Sequence, residues 1–344
     1  MIMMPDTNII IVVIVVICTA IPVTVALVEY AKNRRARSGP RSVPQLRRPN
    51  VKLGKNTFMV NGRYEVKSQA FKQGGMATIW LGVERKTSRP CIIKTPRRGT
   101  NMDNVYLDKL MLEAGYLKRL NHPGIVRYMD DFFYSGEFHL VMEYLKGETL
   151  MASSPRSSPG EQKVIDWAGQ LLDALAYINA VGIIHRDVNP KNIMLCDDGS
   201  VKLIDFGTAK SLYESDEDKA STDPFTQIAN RGFDIPELFL GGDSDGRSDL
   251  CGLAQTCIYL LTLRQPNEIC QSLFKSSWPR TYDEAEDLAV YLISKGVSRR
   301  TARCLAQAVH YYPGSRFSDA RAMQAALTAT GVPAPKPAME AAGK

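Results

Sequence analysis

Asp187, Asn192 and Asp205 are the side chains whose types and spacing first suggest chemistry. Asn192 precedes a short apolar run, residues 193–196, and Asp205 follows a second one, residues 201–204. Between the runs, Asp197-Asp198-Gly199-Ser200 has the composition of a tight turn joining antiparallel strands. The spacing predicts a β-hairpin in which Ile193 pairs with Ile204, bringing Asn192 and Asp205 side by side at its open end. An amide and a carboxylate held there suit a hard divalent cation. Mg²⁺ takes only one or two protein ligands and completes its shell with water and phosphate oxygens. Asp187, five residues before Asn192, is near enough to act on whatever that metal holds. Taken alone, the hairpin fits a surface element with solvated polar ends better, and the elements around it decide between the two readings.

Those elements begin at Tyr64. Residues 64–71, 78–85 and 91–95 have strand-like length and β-branched or aromatic content, with Gly74-Gly75 turning the chain between the first two. The third carries Lys94, which alone says little, since most strand lysines are solvated. A helix over 104–120 bears the apolar stripe Tyr106, Leu110, Leu117 and Leu120, and Glu113 falls on that inward face. An inward carboxylate needs a cationic partner, because burying one unpaired costs several kcal/mol or forces it to take up a proton. Strands over 124–133 and 138–144 follow, then a Ser/Pro-rich loop or weak helix over 151–160 and a strong helix over 161–181. Residues 210–230 are polar and acidic and read as a mobile loop. From Asp249 onward the pattern is helical: 249–263 is almost wholly apolar and hence buried, while 284–295, 298–311 and 318–328 are amphipathic.

A chain of 344 residues is long enough for two lobes. Residues 9–28 form an apolar run that, as a helix rising about 1.5 Å per residue, spans the roughly 30 Å of a bilayer core. A cleaved signal is disfavoured, because residues 1–8 hold no Lys or Arg. Nine basic residues between Lys32 and Lys55 place that flank on the cytoplasmic side, and one basic-rich flank also attracts anionic lipid. The expected organisation is a short outside N-terminus (1–8), a single transmembrane helix (9–28), a basic linker (29–58), a globular domain (59–330) and a Pro/Ala-rich tail (331–344). The charge of +7 resides in residues 1–55, so the remainder of the chain nets zero and a nucleic-acid-binding body is not indicated. The seven cysteines are dispersed without a Cys-x-x-Cys pair, which excludes a zinc site or disulfide framework.

Strands with one helix, then a helical half, with a metal-type hairpin between them, form an order that resembles eukaryotic-type protein kinases, most of all the bacterial Ser/Thr group. His185-Arg186-Asp187 with Asn192 resembles the family's catalytic loop, and Asp205-Phe206-Gly207 its D-F-G element. Pro236-Glu237 resembles the end of A-P-E, Asp249 the Asp opening the buried central helix, and Arg316 the partner of the A-P-E Glu. The resemblance implies an α+β, bilobal fold, with a small antiparallel-sheet lobe (59–145) and a mainly helical one (146–330). It implies Lys94 on the α and β phosphates of ATP, held by Glu113, with Asp187 accepting the substrate hydroxyl proton and Asn192 and Asp205 holding Mg²⁺ or Mn²⁺. The nucleotide pocket would take Phe71, Gly74, Gly75 and Ile79 from the Gly-rich turn and its strand. Ile92, Met142, Glu143, Leu145 and Met194 would surround the adenine. Arg186 would dock a phosphorylated activation loop, with Ser221, Thr222 and Thr226 among the candidate sites. Protein substrates are implied, and signal input through partners, lipid or self-association of the anchor.

The departures are as specific. Lys72, Gly74 and Ala77 occupy the three Gly places of the Gly-rich loop, and Ile92 replaces the expected Ala. Asn189 and Asn230 replace a Lys and a Thr that work together in Ser/Thr kinases, so Lys191 is expected to take over contact with the γ-phosphate. A rival reading is a catalytically weak or inactive pseudokinase scaffold at the membrane.

Overall fold

Sheet formation at the front of the chain follows its β-branched and aromatic runs. The computed structural model describes residues 53, 56–99, 101–154, 157–212 and 232–328. The expected anchor at 9–28, almost all of the basic linker and the tail lie outside the described residues. Among the described residues no helix is long and apolar enough to cross a membrane.

Strands β1 (Thr57–Val60), β2 (Tyr64–Lys67), β3 (Lys72–Gln73), β4 (Ala77–Glu84) and β5 (Arg89–Pro96) precede helix α1 (Asp103–Arg119), and β6 (Tyr128–Tyr134) and β7 (Glu137–Glu143) follow it. They make one antiparallel sheet in the order β1-β2-β4-β5-β7-β6, with β3 also on β4. Two expectations are corrected here. The sheet starts at Thr57, because the linker's last residues supply an edge strand whose Val60 is buried beside Tyr64. The strand expected over 64–71 ends at Lys67, and the chain rejoins the sheet at Lys72, where β3 pairs with β4. Alternation along β5 then sorts its faces. Cys91 and Ile93 enter a small core with Val66 and Val141, while Ile92 and Lys94 face the cleft side, where α1 packs.

The chain crosses to the second lobe through β8 (Gly147–Thr149) and the short helix α2 (Leu150–Ser153), then runs along α3 (Glu161–Ala180). Strand β9 (Ile183–Ile184) leads into the catalytic-type loop and the hairpin of β10 (Ile193–Cys196) and β11 (Val201–Leu203), and β12 (Lys210–Ser211) returns to pair with β9. The hairpin register differs from expectation by one residue: Ile193 opposes Leu203, not Ile204. The cause is the turn, in which the Cys196 amide donates to the Ser200 carbonyl at 2.8 Å and Gly199 sits at φ +82°. This three-residue loop needs a left-handed third position, which glycine fills without strain.

Helices α4 (Pro236–Phe239), α5 (Gly246–Thr262), α6 (Pro266–Phe274), α7 (Tyr282–Ser294), α8 (Arg299–Ala308) and α9 (Ala320–Thr328) complete the lobe. Helix α5 begins ahead of Asp249 because the Asp245 side chain caps it, accepting from the Arg247 amide at 2.8 Å. Twelve of its 17 residues are buried, so it is the post around which the lobe packs. Gly252 permits this closeness: a Cβ there would lie 2.5 Å from the Val188 carbonyl of the loop it supports. Arg316, with its side chain fully buried, clasps both oxygens of Glu237 at 2.7 Å and donates to the carbonyls of His310, Tyr311 and Arg247.

Candidate active site

Lys94 projects from β5 and Glu113 from the buried stripe of α1, and they meet at 2.7 Å with both residues buried. The inward carboxylate thus has its cation. Lys94 also lies 3.5 Å from Asp205 Oδ1, and the Phe206 amide donates to Glu113 Oε1 at 3.3 Å. One ammonium therefore joins the sheet, the helix and the end of the hairpin. Burial opposes the Lys94 charge, but Asp205 and Glu113 outweigh it and raise its pKa. Burial likewise opposes the Asp205 charge, yet Lys94 and the Gly207 N–H hold its carboxyl below the ordinary range.

The loop opposite is built on the buried post. Asp249 Oδ2 accepts from the His185 amide at 2.9 Å and its Oδ1 from the Arg186 amide at 2.8 Å. Burial pushes its carboxyl up to about 7, against the pull of these donors. His185 is fully buried, edge-on to Phe206 at 4.6 Å, and burial pushes its imidazole down to about 4, so the ring is neutral. Arg186 and Asp205 both take left-handed backbone, φ +65° and +68°. That conformation costs a non-glycine residue about 1–2 kcal/mol, here sustained by bonds to Asp249 and to Asp205's own side chain.

Asp187 and Asn192 are in direct contact: Asn192 Nδ2 donates to Asp187 Oδ2 at 2.7 Å and to its carbonyl at 3.0 Å. Asn192 Oδ1 is then the oxygen turned away from Asp187. The Ile204 amide donates to the Asn192 carbonyl at 2.9 Å, so Asn192 opposes Ile204, and Asp205 is the next residue along. Among the described residues no group of three or more His, Cys, Asp or Glu side chains is placed to hold a metal. One carboxylate and one amide oxygen are a donor set for a hard cation that keeps water and phosphate oxygens.

The remaining expected residues line the cleft or lie near it. Ile92 and Met142 are directly paired across β5 and β7, and Ile79 is paired with Lys94. Gly74 donates to the Ala77 carbonyl at 2.9 Å, closing the Gly-rich turn, with Gly75 at its exposed tip and Phe71 exposed before it. Met194 sits on β10 against Thr149, and Leu145 packs on the main core. Lys191 is exposed and has no ion-pair partner among the described residues. Ser221, Thr222, Thr226 and Asn230 lie outside the described residues.

Sequence reasoning missed one contact: Glu143, expected only beside the adenine, has its carboxylate held by Lys202 at 2.6 Å and by the Arg127 amide at 3.0 Å. The available signal was alternation in β11, which puts Lys202 on the side opposite the buried Val201 and Leu203.

Comparisons with known proteins agree with this geometry. A probable serine/threonine-protein kinase PknB of Bifidobacterium longum is 32 % identical over 228 residues, covering 61 % of this chain and 31 % of that protein. Serine/threonine-protein kinase PknL of Mycobacterium tuberculosis is 28 % identical over 282 residues, covering 79 % of this chain and 66 % of that protein. This chain thus spans less than two thirds of the length of either relative. Among solved structures, the Mycobacterium tuberculosis PknI kinase domain matches with a TM-score of 0.58 at 23 % identity, covering 78 % of this chain and 96 % of that one. The apo form of PpkA-294 matches with a TM-score of 0.65 at 19 % identity, covering 81 % and 100 %. Both are likenesses of fold. The family model for the protein kinase domain matches residues 66–326, which contain every contact of the Lys94, Asp187 and Asp205 cluster, and the chain belongs to that family.

Proposed function

We propose that this protein is a membrane-anchored protein kinase that transfers the γ-phosphoryl group of ATP to Ser/Thr hydroxyls of proteins. The observation that carries the reading is the contact of Lys94 with Glu113 at 2.7 Å and Asp205 at 3.5 Å, in a site where Asn192 holds Asp187. A scaffold with no catalytic demand has no use for a buried ion pair whose desolvation is costly. In this reading Lys94 binds nucleotide phosphates, Asp187 accepts the hydroxyl proton, and Lys191 supplies an exposed cation to the γ-phosphate. Asp205 and Asn192 would hold Mg²⁺, which supplies charge screening of the phosphoryl oxygens. The nearly unbroken apolar run at 9–28 and the basic residues after it support the anchor.

One observation favours the silent scaffold instead. The Gly74 amide is spent on the Ala77 carbonyl, and Lys72 stands where the first glycine of the turn is expected. Incubating the full chain with labelled ATP, Mg²⁺ and a generic protein substrate separates the readings. The expected result is label in the substrate, lost with Asp205→Ala and lowered about 10²–10⁴-fold with Asp187→Asn. Transfer no greater than in the Asp205→Ala control overturns the proposal. In the same assay Lys191→Ala is expected to lower turnover, and unchanged transfer removes Lys191 from the scheme. Recovery of the chain with membranes tests the anchor.

A further inference from the structure

Asn189 stands where Ser/Thr kinases carry a lysine, and its surroundings show what an amide does there. The residue is 3 % exposed. Its Oδ1 accepts from the Lys191 amide at 2.9 Å, and the Asn192 amide donates to its carbonyl at 3.0 Å. Asn189-Pro190-Lys191-Asn192 is therefore an Asx turn with proline at the position whose φ it presets. With Oδ1 committed to Lys191, the atom that faces Asp187 is Nδ2. It donates to Asp187 Oδ1 and to the Asp187 carbonyl, the latter at 3.3 Å. From the other side Asn192 donates to Asp187 Oδ2 at 2.7 Å and to the same carbonyl at 3.0 Å.

We propose that Asn189 is a positioning residue that locks the plane of the Asp187 carboxylate and, through one turn, couples it to Asn192. The inference rests on the reading of Asp187 as proton acceptor. Both carboxylate oxygens accept from amides on opposite sides, so the group cannot rotate without breaking one of these bonds. A lysine at 189 could donate to Asp187 but has no acceptor to close the turn, whereas the amide does both. The turn in turn sets the Asn192 side chain, so a single residue fixes the group that takes the proton and one expected to hold the metal. The exchange of lysine for asparagine is on this account a different device for the same alignment.

Asn189→Asp isolates the donor: it keeps an oxygen for the Lys191 amide but removes the N–H₂ from Asp187 and sets a like charge beside it. In the full-length chain it is expected to lower kcat about tenfold or more with KM for ATP close to wild type, and to lower Tm because a second carboxylate is buried beside Asp187. Asn189→Ser, whose oxygen can still cap the turn but is too short to reach Asp187, is read the same way if the Asp variant does not fold. Asn189→Lys, which restores a donor without the turn, is expected to retain more turnover than Asn189→Asp. Wild-type kcat in the Asp or Ser variant, with Asp187→Asn inactive, overturns the positioning role and leaves the proton acceptor standing. An Asp187→Asn protein as active as wild type overturns both.

Discussion

Replacing Glu113 by Gln removes one charge from the centre of the site with little change of volume. At 2.7 Å and an effective dielectric near ~20, the Lys94–Glu113 attraction is about 6 kcal/mol, against about 5 kcal/mol for Lys94–Asp205 at 3.5 Å. Desolvation of two buried groups offsets most of both. Removing one partner of a buried pair costs about 3–5 kcal/mol when the other is left alone. Here Lys94 keeps Asp205, and the Gln oxygen can still accept from the Phe206 amide, so the expected cost is about 2 kcal/mol. For a domain of this size that lowers Tm by about 4–8 °C. The rate should fall further, because an ammonium with one counter-charge left is drawn onto Asp205, away from nucleotide phosphate. We expect kcat/KM for ATP to drop about 10–100-fold, or about 1.4–2.7 kcal/mol of transition-state stabilisation. Initial rates against ATP concentration and scanning calorimetry on the same protein measure both. A Glu113→Gln protein with wild-type kcat/KM would refute the idea that this ion pair organises the site.

Arg316→Lys should destabilise the protein by about 3 kcal/mol, since one ammonium cannot serve both Glu237 oxygens and three carbonyls, and chemical denaturation would show it. Gly252→Ala should cost about 1–3 kcal/mol and also lower kcat, because the added methyl must push Val188, the neighbour of Asp187, out of place. His185 supplies a pH test. Its folded pKa, about 4, lies below the ordinary 6.5, so the unfolded chain takes up the proton first as pH falls. The stability gained by keeping the ring neutral is complete above about pH 6.5 and is lost as pH falls through about 4, an amount near ~3 kcal/mol. His185→Phe removes this dependence, so wild type should lose about that much stability relative to the variant between pH 7 and 4. Parallel stability curves for the two proteins would refute it.

Glu113 is legible because the helical period says which way a side chain points before any partner is known, whereas Lys94 is legible as its partner only through the family resemblance. The hairpin was legible from its apolar runs, but its register was not, since register depends on the backbone of the turn, and Gly199 in left-handed geometry shortens the loop by one residue. The edge strand Thr57–Val60 escaped because its neighbourhood is basic and Pro-rich, and only the partner strand makes those residues extended. Pro236–Phe239 and Pro266–Phe274 are short helices led by proline, whose helical period is too brief to stand out. The grip of Lys202 on Glu143 joins groups that no local pattern relates, and that of Asn189 on Asp187 stands where the family resemblance leads one to expect a lysine.

The contacts around Lys202 also say how the lobes can move. The Leu203 amide donates to the Gly124 carbonyl at 2.8 Å, and the Val126 amide donates to the Leu203 carbonyl at 2.9 Å. One residue further back, Lys202 holds Glu143 at the end of the sheet's β7. Two segments of the small lobe's rear, 124–126 and the end of β7, are thereby riveted to a strand of the large one, on the strand that leads to Asp205. Opening the cleft must then be a rotation about this line, with the Gly-rich turn sweeping the widest arc and Asp205 close to the axis. A lever so hinged can admit and release nucleotide without displacing the group at its pivot, and the amides of Val126 and Leu203 should exchange with solvent only when the hinge itself gives way.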